Sequence, residues 1–367
     1  MNSQTLQTAT VDSDLLQMVR EVLAGDVTDR LAAAGTGVVF DDALWKQLAE
    51  LGLVALTTPE SDGGSGAGWL EAAALYSEAA ATARHLPLVE TDLLANWLLR
   101  TAGLPAGDPT TPRTVAVVGA DGRAAAVPWL GVVESVVIVR RGSGGSASLV
   151  EIESTALSAV ADITPVPTNS GQPRADLTLT GELPTGTDLD DAAAVLDELA
   201  LRGALARAAS CAGALEKAVD LAVEHTSVRV QFGRPLAAFQ AVQQLVADSA
   251  AEAALARAAV DAAVLETEAT GLRTPAAATR VAVARSCAGH AASVVVRNTH
   301  QAHGAIGTTQ EHPLHLFTLA ALDWRSEFGT TRAWDRVLGR LVRQDPPQLW
   351  PVVTGQAEAQ TSPHPLP

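Results

Sequence analysis

Two stretches of this chain place polar and aromatic side chains beside glycines, at breaks between long helical runs. They are Arg229-Val-Gln-Phe-Gly-Arg-Pro-Leu-Ala-Ala-Phe-Gln240 and His300-Gln-Ala-His-Gly-Ala-Ile-Gly307. The Gly-Arg-Pro break lets Arg229 and Gln231 project from a helix end. A guanidinium forms paired hydrogen bonds with a pyrophosphate, and a glutamine amide binds phosphate or another polar edge. Phe232 can cover a planar group, and Phe239 can do so from the next turn. In the second stretch Gln301 can bond a phosphate or hydroxyl, while Gly304 and Gly307 permit close backbone approach. A plainer assignment competes with this one. Arg229 and its neighbours then serve as caps and packing groups, and His300 and His303 as satisfied interhelical residues. The glycine loop is no Rossmann fingerprint, because a helix precedes it. No cysteine or carboxylate spacing joins His300 and His303 in a metal site.

Long helices must position these groups. Their pattern predicts helices over residues 190–228, 237–267 and 273–301, with Gly271 and Pro275 between the last two. Leu215, Val219, Ala222 and Val223 share a spacing that makes a buried stripe. Helices of this length suit an antiparallel bundle. The front of the chain is also helical, over residues 11–35, then from a cap at Asp41 or Asp42 through Trp45, Leu48 and Leu51 to Gly52. Another helix starts at Trp69, and residues 88–102 form one more, apolar helix. The middle changes character. Thr114 to Val118 and Ala124 to Val127 flank a Gly-Ala-Asp-Gly turn as a hairpin, followed by strands at Val132 to Val139, Ala147 to Ile152 and Ala175 to Leu179.

Composition bounds the class. At 367 residues the chain exceeds one small core. Hydrophobic residues are 47% but aromatics only 4%, so the core is built from Ala, Leu and Val. A net charge of -16 argues against a nucleic-acid binder. Cys211 and Cys287, in apolar helical contexts, suit free buried thiols. The N-terminus lacks a secretory pattern and no apolar run spans a membrane, so a soluble cytoplasmic protein is expected.

The two ligand-suited stretches together resemble the acyl-CoA dehydrogenase family over roughly residues 12–345. Arg229-Val-Gln-Phe-Gly233 with Phe239-Gln240 is the most diagnostic match, followed by His300 to Gly307 with Glu311-His-Pro-Leu314. At the front, Trp45-Lys-Gln-Leu-Ala-Glu-Leu-Gly52 and Thr58-Pro-Glu-Ser-Asp-Gly-Gly-Ser-Gly66 resemble the family's first domain. The resemblance implies an α+β fold of an N-terminal helical domain (1–110), a shortened middle β domain (111–188) and a C-terminal four-helix-bundle domain (189–345), with a flexible tail (346–367). It implies FAD, bound largely by a neighbouring subunit. Arg229 and Gln231 would meet its pyrophosphate, Phe232 and Phe239 its planar and adenosine side, and Gln301, Gly304 and Gly307 the same cofactor. Ala305 stands where a second glycine is common.

The family reaction is α,β-dehydrogenation of an acyl-CoA thioester, with a glutamate as base. Here the usual Glu-Gly-Thr reads Glu327-Phe-Gly-Thr330, so Phe328 takes the base's place and Glu327 is displaced by one residue, roughly a quarter-turn of helix or more. The alternative glutamate position of some relatives falls near Gly203, which bears no carboxylate. The Thr-Glu-x-x-x-Gly-Ser-Asp segment that helps hold flavin is absent around Pro109 to Val118. This pattern resembles the non-catalytic partner in actinobacterial heteromeric acyl-CoA dehydrogenases, including those acting on steroid-derived CoA thioesters. It implies no catalytic residue in this chain, an α2β2 assembly with a homologous subunit that supplies the base and acyl-CoA site, and an electron-transfer acceptor. Two other readings stay open: a self-sufficient homomer with Glu327 or Asp323 as base, and a cofactor-free structural or regulatory subunit.

Overall fold

In the computed structural model, which describes residues 11–25, 31, 37–105, 107–344 and 350, aspartates start the first two helices. Asp12 accepts from the Asp14 N–H before α1 (Ser13–Leu23), and Asp41 accepts from the Leu44 N–H at 2.9 Å before α2 (Asp42–Glu50). The helix expected over residues 11–35 therefore ends at Leu23, and much of the rest of that span lies outside the described residues. α3 (Trp69–Ala81) is tied to a residue 199 positions further on, since Glu268 accepts from the Trp69 N–H at 2.6 Å.

The apolar helix expected at residues 88–102 is corrected by the structure. Val89–Asn96 is wound as a π-helix and only Trp97–Thr101 (α4) is α-helical. The wider coil turns Glu90, Thr91, Asp92 and Asn96 into the interior, where each finds a partner of its own. Burying polar side chains requires such partners.

The middle holds two small sheets. β1 (Arg113–Val118), β3 (Ser135–Arg141), β4 (Ala147–Glu153) and β7 (Thr187–Asp188) form one, in the order β1-β3-β4-β7. β2 (Arg123–Pro128), β6 (Arg174–Leu179) and β5 (Ala161–Pro165) form the other, in the order β2-β6-β5. The β1–β2 hairpin expected from sequence is not made. The turn exists, with Gly122 N–H on the Gly119 carbonyl at 3.0 Å, but the strands part into different sheets. β1 pairs parallel to β3 instead, and β2 antiparallel to β6. Each strand thereby buries a face in the shared core of Ala116, Val118, Ala124, Val136, Ile138 and Leu177. β5 escaped the sequence reading because Ala-Asp-Ile-Thr-Pro is mostly solvent-facing and ends in proline, as an edge strand can.

The long helices fall where their pattern predicts: α5 (Ala192–Val228), α6 (Gln240–Thr270) and α7 (Pro275–His303). A two-stranded hairpin, β8 (Val230–Gln231) and β9 (Arg234–Pro235), joins α5 to α6. α8 (Leu314–Trp324) and α9 (Thr331–Gln344) close the bundle. α5 is its mast. From Gly203 to Leu215 every residue of α5 is buried, because other helices pack around it. The stripe expected from Leu215, Val219 and Ala222 is buried, but Val223 is corrected: it is 46% exposed near the end of the mast. Cys211 and Cys287 are free thiols, the first buried and the second half-buried. Among the described residues no helix is long and apolar enough to cross a membrane. The tail predicted at 346–367 lies outside them except for Trp350. The architecture is α+β: N-terminal helices, a small mixed-sheet middle and a C-terminal helix bundle.

Candidate functional site

The α5–α6 connection is a tight hairpin. Gln231 pairs with Arg234, and Phe232 and Gly233 take φ values of +53° and +82° at its tip. That is the backbone of a two-residue turn with both central residues left-handed. The turn leaves Phe232 89% exposed, with the flanking Val230 at 55% and Val228 at 73%. Phe232 meets Phe239 edge-on at 6.1 Å, and the Arg234 guanidinium lies 4.1 Å over the Phe239 ring. Arg229, at the C-cap of α5, and Gln231 are exposed, and neither side chain has a hydrogen-bond partner within the described chain. The apolar tip and the two polar groups beside it are what a docking arm needs.

The second stretch comes to the same end of the bundle. His303, the last residue of α7, stacks on His225, in the last turn of α5, with ring centroids 4.6 Å apart. Arg229 lies one turn beyond His225 and donates its N–H to the His225 carbonyl, while Gly304 directly follows His303. The stack therefore brings the Arg229 hairpin and the Gly304 loop together. Gln301 and Gly304 are exposed, and a Cβ built on Gly304 would meet nothing within 4 Å. Gly304 leaves room for a ligand backbone or phosphate. Gly307 is different. It is buried, and a Cβ there would press 2.7 Å from the His303 Cβ, so its small size serves packing on His303. The expectation that Gly307 offers open approach is corrected by that contact.

The place of the expected base is filled. Phe328, at φ +50°, turns its ring onto Gly203 of α5, where an added Cβ would overlap the ring. The two positions at which a glutamate was sought are thus in contact with each other through an aromatic side chain. Glu327 is not a free carboxylate. One oxygen is held by Arg174 and the other accepts from Arg207 Nε at 2.6 Å. Arg207 also binds Glu90 on the π-helix. One terminal nitrogen of the buried Arg285 lies between 2.7 and 3.2 Å from the carbonyls of Trp324, Arg325, Glu327 and Gly329, which share its two N–H groups. Asp323 is equally committed: it accepts from the backbone and side chains of both Asn169 and Ser170, at 2.7 to 3.2 Å. It fastens the β5–β6 loop to α8. Both oxygens of each acid are thus engaged, Glu327 by two arginines and Asp323 by four donors.

A cleft of about 300 Å³ remains beside this network, lined by Glu90, Thr114, Val127, Arg174, Glu327 and Phe328. Burial raises the Glu90 carboxyl above its usual range, against the pull of Arg207. Sequence reasoning named Glu327 but missed the groups that hold it, Arg174, Arg207 and Glu90. A signal for the rest was Arg207, an arginine within an Ala-rich run.

The Phe328–Gly203 contact sets a sign test. Gly203→Ala is expected to destabilise the chain by about 1–3 kcal/mol through overpacking. In a Phe328→Ala background the same change should be neutral or stabilising, since Ala exceeds Gly in a helix by about 1 kcal/mol. Urea unfolding of the four proteins reads both signs. Equal destabilisation in the two backgrounds would show that the ring does not occupy this place.

Comparison with known proteins adds family, sequence and structural likenesses. Residues 11–106 match the family model described as acyl-CoA dehydrogenase, N-terminal domain, and residues 194–333 match that described as acyl-CoA dehydrogenase, C-terminal domain. Acyl-CoA dehydrogenase IpdE2 of Mycobacterium tuberculosis is 29% identical over 318 residues, covering 82% of this chain and 89% of that protein. In shape, a chain of the ChsE4-ChsE5 complex from Mycobacterium tuberculosis aligns with TM-score 0.80 at 23% identity, over 94% of this chain and 99% of that one. A variant of the Tcur3481-Tcur3483 steroid ACAD aligns with TM-score 0.76 at 24% identity, over 91% and 98%.

Proposed function

The chain belongs to the acyl-CoA dehydrogenase family, and from that premise we propose that it is the base-less subunit of a two-chain, FAD-dependent acyl-CoA dehydrogenase. The observation that carries this reading is the occupied position of the base, with Phe328 on Gly203 and Glu327 held by Arg174 and Arg207. The reaction is α,β-desaturation of an acyl-CoA, and the homologous partner supplies the glutamate and the acyl-CoA site. FAD, shared with and mostly held by the partner, is the hydride acceptor of this chemistry.

This chain's own residues fit a dinucleotide presented by a neighbour. Arg229 pairs with pyrophosphate oxygens, and the Gln231 and Gln301 amides donate beside it. The open Gly304 lets the loop backbone come close, and Phe232 and Phe239 cover the adenosine side. The exposed Val228, Val230 and Phe232 supply apolar surface for a second chain to bury, in an α2β2 assembly. The ChsE4-ChsE5 complex supports a partner subunit, and the steroid enzyme among the similar structures favours a steroid-derived CoA thioester. An electron-transfer acceptor receives the electrons.

The self-sufficient homomer has less support, because Glu327 and Asp323 are both engaged as structural groups. Native mass with flavin quantification tests the choice. The chain alone is expected to be free of FAD, and its mixture with the partner dehydrogenase chain to form a tetramer carrying about two flavins, one for each complete site of a two-fold assembly. A homomer with one FAD per chain sinks the proposal.

A further inference from the structure

We propose that His225, His303 and His312 form a site for a divalent first-row transition ion of the zinc type, at the bundle end that carries the Arg229 hairpin and the Gly304 loop. The three residues are far apart in sequence and reach one point from separate elements. His225 comes from the last turn of α5, His303 from the end of α7 and His312 from the turn before α8. One nitrogen from each ring lies within 4.8 Å of the other two. A tetrahedral ion with bonds of about 2.0–2.1 Å holds its ligand nitrogens roughly 3.3 Å apart, so the cluster closes by side-chain rotation. His225 and His312 are half-buried.

His303 is set up as a ligand. Its Nδ1 donates to the Thr299 carbonyl at 2.7 Å, which leaves the lone pair on Nε2. That Nε2 is buried and has no hydrogen-bond partner. A backbone carbonyl on the far nitrogen is the support that metal-binding histidines ordinarily have. His225 stacks on His303, and His312 stands edge-on to both, with ring centroids 4.6 and 6.1 Å away. His312 Nδ1 accepts a long bond of 3.2 Å from the Leu314 N–H, which coordination would give up.

Charge and burial point the same way. Burial first, and then the neighbouring imidazoles, push His312 down to about 4. Burial also lowers His225 and His303, the latter against the Thr299 and Leu221 carbonyls. An ion binds the neutral imidazole, so uptake weakens as pH falls. Imidazole nitrogens suit zinc, copper and nickel over magnesium or calcium. Three protein ligands leave a fourth position for water or an incoming group. Bound there, the ion would pin the hairpin and the glycine loop to each other.

The test uses the full chain after chelator treatment, with neither flavin nor partner present, so its outcome is separate from that of the shared-flavin reading. Zinc alone is titrated against a chromophoric chelator, and elemental analysis counts the ions. One ion per chain is expected, with affinity lower by at least about tenfold in both His225→Ala and His312→Asn. His290→Ala, at the exposed His290–Asp335 pair, is the control and should bind as the unaltered chain does. Cobalt on the unaltered chain should show the intense visible bands of a tetrahedral site, which decides the matter even where a variant misfolds. No uptake at micromolar zinc, a six-coordinate cobalt spectrum, or undiminished binding in the His225→Ala/His312→Asn double variant overturns the proposal.

Discussion

Arg207→Ala is expected to cost the chain about 3–5 kcal/mol of stability, the loss seen when one partner of a buried ion pair is removed. The guanidinium is buried and lies between two buried carboxylates, Glu90 and Glu327. Its removal strands Glu90, one of whose oxygens already lacks a hydrogen-bond partner, and leaves Glu327 with Arg174 alone. The effect should depend on pH in a stated direction. Glu90 is raised above its ordinary value in the folded chain, so folding binds its proton more tightly than the unfolded state does. Its contribution is present below the unfolded carboxylate range and is lost as pH rises through the folded value. Without Arg207 the folded value climbs further, so the variant's deficit should shrink on acidification from pH 7 toward pH 5. Urea unfolding at the two pH values measures this. Arg207→Met with Glu90→Gln and Glu327→Gln, which removes the charges together, should recover much of the loss. A deficit under about 1 kcal/mol, or one that does not change with pH, would mean that the network is not buried as described.

The second large effect concerns the cofactor. In the mixed complex, Arg229→Ala with Gln231→Ala is expected to weaken FAD retention by about 100-fold or more, since each of the two hydrogen bonds to a charged group contributes about 1.5–3 kcal/mol. Both side chains are exposed on the isolated chain, so its own unfolding midpoint should hardly move. Assembly, read by native mass, should survive, because the exposed apolar contacts of Val228, Val230 and Phe232 remain. Equilibrium dialysis of flavin from the two complexes makes the comparison. Unchanged retention in an intact tetramer would show that the hairpin is only a packing arm, and would favour the cofactor-free subunit reading.

Much of the fold was legible from local pattern. The three long helices lie within a few residues of their predicted limits, because Ala-rich composition and the Gly271–Pro275 break act locally. The caps at Asp41 and the helix start at Trp69 are equally local. Failures came where partners are distant. The β1–β2 turn was read correctly and its strands wrongly, since pairing depends on β3 and β6, not on the turn. The π-helix at Val89–Asn96 has no local signature, because its polar side chains are explained by partners elsewhere, including Arg207, more than a hundred residues away.

The candidate site divides in the same way. Residue type and spacing marked Arg229, Gln231, Phe232, Phe239, Gln301, Gly304 and Gly307, since chemical identity is a property of the sequence itself, and the family resemblance implied Phe328 in the place of a base. What those residues do was decided by tertiary contacts. Only the folded chain sets Phe328 on Gly203, closes both oxygens of Glu327 with arginines from a strand and a helix, and fills Gly307's surroundings with His303. Only it brings His225, His303 and His312 together, through packing of helix ends that no local rule encodes. Side-chain chemistry is written residue by residue, whereas its availability depends on which distant groups compete for the same donors, acceptors and space.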